Sequence, residues 1–457
     1  MINGSANHSM MFVVISDQFR FTKSRHREFA THRHNSVRRA VLWLAAIVIA
    51  YGPIGDAQAQ QIDRYFSQGV DAYGTTPGVT VLSRLRPEYE PPGIRAGGFV
   101  INTNLAQGLG YDSNAIGQPQ AKPSLMLQTE ASVRARSDWG RNSLRFNAGM
   151  NSRQYPAQSQ QSTLDWNAAA GGTYEIGRHQ AGLDFSHIKS AQTPRDLGNP
   201  LLTAPVPYTV DSVQSSFTAN FGRFAVVPSL DFGMWRFDDA SQSQTPLTLS
   251  FQNRNVLTTN LVGRYQASSQ RSLLVILRGV QTRYVATASG QPSRDSQGFD
   301  VLAGIEYGAG GVWRYRALAG YQTRQYAGSA FRPLSGPTLE ANIIWQPTGL
   351  TSVTGSALHT IADASLTDSV SYTLSQIRLT IDHELRRNFL LQVRAEADSA
   401  VYPQNAGSAT LYIAGGSATW LVNRRVRIVA SYDYTHRQSG PSSYSENVTL
   451  LRVGFGL

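Results

Sequence analysis

Downstream of residue 59 the chain holds five histidines, His179, His187, His359, His383 and His436, and it has no cysteine anywhere. Thiolate nucleophiles, disulfide frameworks and cysteine-ligated metals are therefore excluded. A lipid hydrolase built on histidine needs a serine hydroxyl within hydrogen-bond reach of the imidazole, on an apolar wall near one rim. His187 continues the apolar parity of Ala181, Leu183 and Phe185, and His359 that of Val353, Gly355 and Ala357. Both are expected as polar residues at the edge of such a wall. Asp238-Asp239 offers paired acids, but in a polar segment expected to be a solvated turn. No run of oxygen ligands marks a calcium site. No catalytic residue, cofactor or metal is expected.

The richer chemistry lies in the arginines. Apolar and polar side chains alternate with period two through most of the chain, which puts one set on each face of a sheet. In 142–155 Leu144, Phe146, Ala148 and Met150 alternate with Arg145, Asn147, Asn151 and Arg153. In 313–326 Trp313, Tyr315, Ala317, Ala319 and Tyr321 stand against Arg314, Arg316, Gln322 and Arg324. In 389–399 Phe389, Leu391, Val393, Ala395 and Ala397 stand against Gln392, Arg394, Glu396 and Asp398. The polar face is too charged for a protein core and calls for water.

Parity then assigns an inward, pore-lining set: Arg134, Arg136, Arg145, Arg264, Arg314, Arg316, Arg324, Arg378, Arg394, Arg425, Arg427 and Arg452. The acids on the same side are Glu130, Asp165, Asp184, Asp300, Glu340, Asp382, Glu396, Asp398 and Asp433. Opposite charges across strands can pair. The surplus of arginine would leave a positive interior that concentrates anions.

The elements that position these residues are strands, expected at 97–111, 124–137, 142–155, 162–176, 179–190, 208–222, 224–237, 251–266, 271–284, 296–307, 313–326, 338–346, 350–361, 369–385, 389–399, 408–422, 425–434 and 446–457. Segments 271–284 and 369–385 change phase midway, which suggests bulges. Connections alternate between long and tight. Segments 112–123, 191–207, 238–250 and 435–445 are long, whereas Asp138 to Gly140, Gly177-Arg178, Arg223 and Asn423-Arg424 are tight. Long loops at one rim and short turns at the other are the build of an outer-membrane barrel, and an even strand count puts both chain ends on the periplasmic side. Trp166 and Tyr174, Trp313 and Tyr321, and Tyr412 and Trp420 are each eight residues apart on one face. That spacing rises roughly 20 Å on a tilted strand, near the height of the apolar band between aromatic girdles. In lipid every backbone polar group must pair internally, so such a sheet must close.

Composition agrees. Charged residues make up 16% of 457, with 40 glycines and 20 tyrosines, and the mean hydropathy of −0.26 excludes a bundle of membrane helices. The net charge is +11. The arginines are scattered singly and not gathered into a patch, so nucleic acid is not an expected partner. Arg38-Arg39, the apolar run from Ala40 to Tyr51 and Ala57-Gln58-Ala59 describe a signal peptide over 1–59. Residues 60–96, rich in Gly and Pro, are expected to form a periplasmic N-terminal extension, too short for a transporter plug domain. The barrel is assigned to 97–457.

The stretch Arg84-Leu85-Arg86-Pro87-Glu88-Tyr89-Glu90, then Gly93 to Phe99, then Tyr111-Asp112-Ser113-Asn114 resembles the start of the putative β-barrel porin 2 family. That family opens with an R-P-x-Y segment and a G-x-F strand leading to a D-x-N loop. The resemblance implies an outer-membrane barrel, in some relatives linked to exopolysaccharide systems. Phe455, third from the end, resembles the terminal aromatic read by the barrel assembly machinery.

The sequence thus predicts an all-β, closed antiparallel transmembrane barrel of about 18 strands, with 16 as the alternative, in the bacterial outer membrane. The expected function is a porin-like channel for small or carbohydrate-like solutes, favouring anions. The alternatives are a non-conducting scaffold whose loops 191–207, 238–250 and 285–295 bind a partner or close the lumen, and an outer-membrane hydrolase. Expected partners are outer-membrane lipid and lipopolysaccharide, the assembly machinery and small solutes.

Overall fold

The computed structural model describes residues 79–197, 202–239, 250–286, 292–308, 312–364, 370–403 and 407–457. The leader expected over 1–59 and residues 60–78 of the extension lie outside the described residues, as do parts of several long loops.

The chain forms one antiparallel sheet. A short strand β1 (Ile94–Ala96) precedes β2 (Phe99–Asp112), β3 (Ser124–Ser137), β4 (Ser143–Gln154), β5 (Thr163–Ile176), β6 (His179–Gln192), β7 (Val206–Phe221), β8 (Phe224–Phe237), β9 (Arg254–Gln266) and β10 (Arg271–Tyr284). Then follow β11 (Ser296–Tyr307), β12 (Trp313–Tyr326), β13 (Leu334–Thr348), β14 (Thr351–Asp363), β15 (Ser371–Arg386), β16 (Phe389–Val401), β17 (Ser408–Leu421), β18 (Val426–Gln438) and β19 (Tyr444–Gly456). Each of β2 to β19 pairs with its sequence neighbours. The last strand pairs back onto β2, from Val448↔Asp112 to Gly456↔Asn104. Eighteen strands therefore close a barrel, and β1 folds back on the start of β2. Closure leaves no open edge, which is what lipid demands of a backbone.

Alternation sets the two faces. Leu273, Val275 and Leu277 of β10 are exposed on the outside, while Ser272, Leu274, Ile276 and Arg278 between them are buried inside. The six girdle aromatics named above are all exposed on the outer wall. Burial of apolar groups against lipid replaces burial in a core, so the outer wall carries the large hydrophobic side chains.

The inner wall departs from the expected wet surface. Val227, Val262, Leu274, Ile276, Leu302 and Leu318 form a buried apolar cluster on β8 to β12. Register aligns Val227 with Val262, Val262 with Ile276, and Ile276 with Leu302. The phase change in 271–284 is therefore not a bulge: β10 runs in unbroken register with both neighbours, and is apolar on both faces at this height. In β15 the register shift lies at the strand's end, between Glu384 and Arg386, not midway. The mid-strand pattern there again reflects inward apolar residues, Tyr372 and Leu374.

Gly304 and Gly320 lie on paired strands at this cluster, Gly304 opposite Leu318 and Gly320 opposite Leu302. A Cβ on Gly304 would stand 1.9 Å from the Ala317 carbonyl oxygen, and one on Gly320 1.9 Å from that of Val301. Only glycine allows β11 and β12 to approach this closely.

Candidate pore interior

At the long-loop rim, the segment after β6 turns into the lumen. Asp196 accepts the Thr193 N–H at 2.8 Å, which closes a tight turn. That turn aims Arg195 inward. The guanidinium reaches Glu446 of β19 at 2.7 Å and Asp112 of β2 at 3.2 Å, and donates to the carbonyls of Asn114 and Ala115 at 3.1 and 3.0 Å. All three charged side chains are buried. Arg437 of β18 holds the Pro194 carbonyl at 2.7 Å. Two residues on, Leu197 packs with Tyr372, Leu374, Ala400, Tyr402 and Leu411 of the β15–β17 wall, where the Tyr402 hydroxyl donates to the Leu197 carbonyl. Burial pushes the Tyr402 phenol up to about 12, so it remains a donor at neutral pH. Since β15 faces β6 across the ring, these contacts require the segment to cross the mouth.

A second group of contacts narrows the same rim. Arg254 and Arg324 both reach Asp363, at 3.7 and 2.5 Å. Arg294, from the β10–β11 connection, donates to the Ala364 carbonyl at 2.9 Å and lies over the Phe251 and Tyr284 rings. Burial lowers the Arg294 guanidinium from its ordinary value. Ile188, Leu202, Val206, Tyr208, Val210 and Phe237 complete an apolar lining beside it.

Below this, from mid-barrel to the short-turn rim, the inward arginines meet acids across the strands. Arg145 pairs with Asp184 at 2.6 Å, Arg264 with Glu306 at 2.6 Å, Arg378 with Glu396 at 2.5 Å, Arg394 with Asp433 at 2.6 Å and Arg452 with Glu130 at 2.7 Å. Arg278 joins Asp300 and Glu340 at 3.4 and 2.9 Å, and Arg427 donates to Asn104 at 2.5 Å. Of the expected set, Arg316, Arg324, Asp165, Asp382, Glu396 and Asp398 are buried, Asp398 completely, so they are packed and not washed by an open channel. Arg425 precedes β18 and sits exposed in the turn after β17, because the strand begins one residue later than its parity suggested. Arg134, Arg136 and Arg314 are half-buried and make no hydrogen bond or ion pair among the described residues. Arg136 stands directly opposite Arg145 in register.

The short-turn rim is crossed by a strap, residues 79–90. Its anchor is Glu384 near the end of β15, which takes Arg84 at 2.5 Å and Arg86 at 2.7 Å. The Val81 N–H donates to Ser352 Oγ at 2.9 Å, and Arg84 also donates to the Gly349 carbonyl at 2.7 Å. Arg86 is buried; it donates to the Val81 carbonyl at 2.7 Å, and its own N–H donates to Glu90 at 2.7 Å. The strap enters β2 and grips β14–β15, a third of the way round the ring.

The motif residues of the opening therefore have structural tasks. Arg86 locks the strap, and Asp112 with Asn114 holds Arg195. Sequence parity missed Arg195 with Asp112 and Glu446 at the long-loop rim, because a loop residue has no parity to read, and missed Glu384 at the other rim, because its partners Arg84 and Arg86 precede the strands. The single available signal was the D-x-N pattern.

On the outer wall, His359 Nδ1 lies 2.8 Å from Ser375 Oγ, His436 Nδ1 2.9 Å from Ser445 Oγ and His383 Nδ1 3.0 Å from Thr351 Oγ1. The same cross-strand pairing recurs three times, and among the described residues none of these imidazoles has a carboxylate partner. His187 instead meets Asp211, at 2.6 Å.

Comparison with known proteins places this geometry. The family described as "Putative beta-barrel porin 2" matches residues 86–456. No curated protein matches the chain. Solved structures similar to it include the FrpB iron transporter from Neisseria meningitidis, F3-3 variant, at 11% identity and a TM-score of 0.40. The match covers 74% of this chain and 62% of that one, so the chain spans about three fifths of the transporter's length. A BenF-like porin from Pseudomonas fluorescens Pf-5 is similar at 11% identity over 78% of this chain and 99% of that one, TM-score 0.42. OccAB3 from Acinetobacter baumannii is similar at 8% identity over 79% and 100%, TM-score 0.45. With its eighteen closed strands and a family match over most of its length, the chain belongs to the putative beta-barrel porin 2 family and is a β-barrel of the bacterial outer membrane.

Proposed function

We propose that the barrel passes small anionic solutes by passive diffusion through a narrow, two-tiered path. One observation carries the reading. Arg134 and Arg136 face the lumen with no acid partner, and Arg136 opposes Arg145 across the strand pair. Asp184 already answers Arg145, so Arg134 and Arg136 keep their own charge for a passing anion. The arginines paired with acids contribute little net field, so selectivity rests on Arg134 and Arg136 of β3 and Arg314 of β12. The crossing at Arg195 and the strap at Glu384 limit the size of what passes. The test is the reversal potential of refolded protein in planar bilayers under a salt gradient. Anion preference is expected, and Arg134→Glu with Arg136→Glu should reverse it.

A second reading is favoured by the same two crossings: a barrel whose lumen stays shut and whose long loops serve as a surface platform. Silence in bilayers from both the wild type and variants that release the crossings would support it.

A further inference from the structure

The outer wall carries a feature that pore function does not use. Ala168, Ala170 and Gly172 occupy successive outward positions of β5, with Phe146 and Ala148 of β4 on one side and Phe185 of β6 on the other. Small side chains between large ones leave a trough of about 600 Å³, which extends beneath His187 and Asp211. It runs across the strands, from Val133 on β3 over Ala168 and Ala170 to Met234 on β8, and stops short of Gly172, which the Leu144 side chain covers.

Toward the long-loop rim the trough ends in polar groups. The Trp166 ring lies 4.7 Å from the His187 imidazole, whose Nδ1 is 2.6 Å from Asp211. One step higher stands Lys189, opposite Trp166 on one side and Thr209 on the other. Thr209 in turn faces Arg236 on β8. Lys189 makes no hydrogen bond or ion pair among the described residues. Arg236 donates to the Trp235 and Arg254 carbonyls at 2.8 and 3.1 Å and to Asn255 Oδ1 at 2.8 Å, and meets no carboxylate there. Of the nearby acids, Asp211 is engaged by His187, and Asp238, two residues beyond Arg236, is exposed at the rim. Two cations thus stand about 10 Å apart, two strands from one another, where the apolar band gives way to polar residues at the outer-leaflet level. Trp166 suits that level, an apolar ring with a polar edge.

We propose that this wall binds one phosphorylated glycolipid of the outer leaflet, with an acyl chain in the trough and a phosphate between Lys189 and Arg236. Long flexible cations at a membrane edge extend toward phosphate while their stems cover apolar surface. Smallness at Ala168 and Ala170 between larger neighbours gives the chain a groove to lie in, and the cations choose the head.

The test is native mass spectrometry of the refolded barrel in detergent, titrated with diphosphoryl lipid A or with phosphatidylglycerol. One lipid A is expected to stay bound per barrel, at least tenfold more tightly than phosphatidylglycerol. Lys189→Glu with Arg236→Glu should weaken it at least tenfold, and Ala168→Trp, which fills the trough and leaves the cations, should do likewise. Heat-modifiable gel mobility confirms that each variant folds. Equal retention of both lipids, unchanged binding in either variant, or a second barrel seated on this wall and lost in Ala168→Trp would overturn the assignment.

Discussion

The Arg195 guanidinium, which projects from the β6–β7 connection, lies 2.7 Å from Glu446 at the start of β19, and both side chains are buried. A loop residue thereby reaches a strand five places round the ring from its own. Asp112 shares the same guanidinium at 3.2 Å, so one cation answers two carboxylates. Desolvating three charges is costly, and only dense pairing with added hydrogen bonds offsets it. The crossing is therefore a specific structure and not a collapsed loop.

Replacing Arg195 with Ala strands two buried carboxylates. The loss is expected to be about 3–5 kcal/mol, as for a broken buried pair, read as a lowered urea midpoint for the refolded barrel. Single-channel conductance should rise, because the segment from Thr193 to Leu197 loses its hold on β2 and β19. Neutralising the partners together, Arg195→Met with Glu446→Gln and Asp112→Asn, should recover most of the stability but not the narrow conductance.

Glu384 plays the corresponding part at the other rim. Glu384→Ala leaves Arg84 and Arg86 without their shared acid. A cysteine placed at Leu82 should then react faster with a membrane-impermeant maleimide than in the unmodified background. Equal rates would show that the strap does not depend on Glu384.

The inner apolar cluster separates two kinds of burial. Ile276 is fully buried in the lumen, whereas Val275 beside it is exposed on the outer wall. Ile276→Ala is expected to cost about 2–5 kcal/mol through the cavity it leaves, and Val275→Ala clearly less. Denaturant midpoints of the two variants in the same detergent check the ordering.

Gly304→Ala and Gly320→Ala each place a methyl carbon 1.9 Å from a backbone oxygen. Backbone cannot swing aside as a side chain can. A drop in folding yield, or a loss of at least about 2 kcal/mol, is expected for each, whereas Gly336→Ala, with open space around its Cβ position, should be neutral.

Strand number, order and closure were legible because lipid enforces a strict period of two on the outer face, as in Leu273, Val275 and Leu277. The arginine parity was legible for the same reason, and Arg145, Arg264, Arg378 and Arg394 all meet acids. The inner face gave no comparable signal. Leu274, Ile276, Tyr372 and Leu374 broke the expected polar parity and suggested bulges, whereas they mark where wall residues or a loop pack inside. Arg195 could not be placed at all, since nothing periodic ties residue 195 to residues 112 and 446. Long-range ion pairs become visible only when the ring has closed.

The most direct measurement is single-channel recording of the refolded wild-type protein across a salt gradient, beside Arg195→Ala. Discrete small steps with a reversal potential on the anion side, enlarged in the variant, are the predicted result. Silence from both proteins, or a cation-side reversal potential, would contradict a channel lined by Arg134 and Arg136.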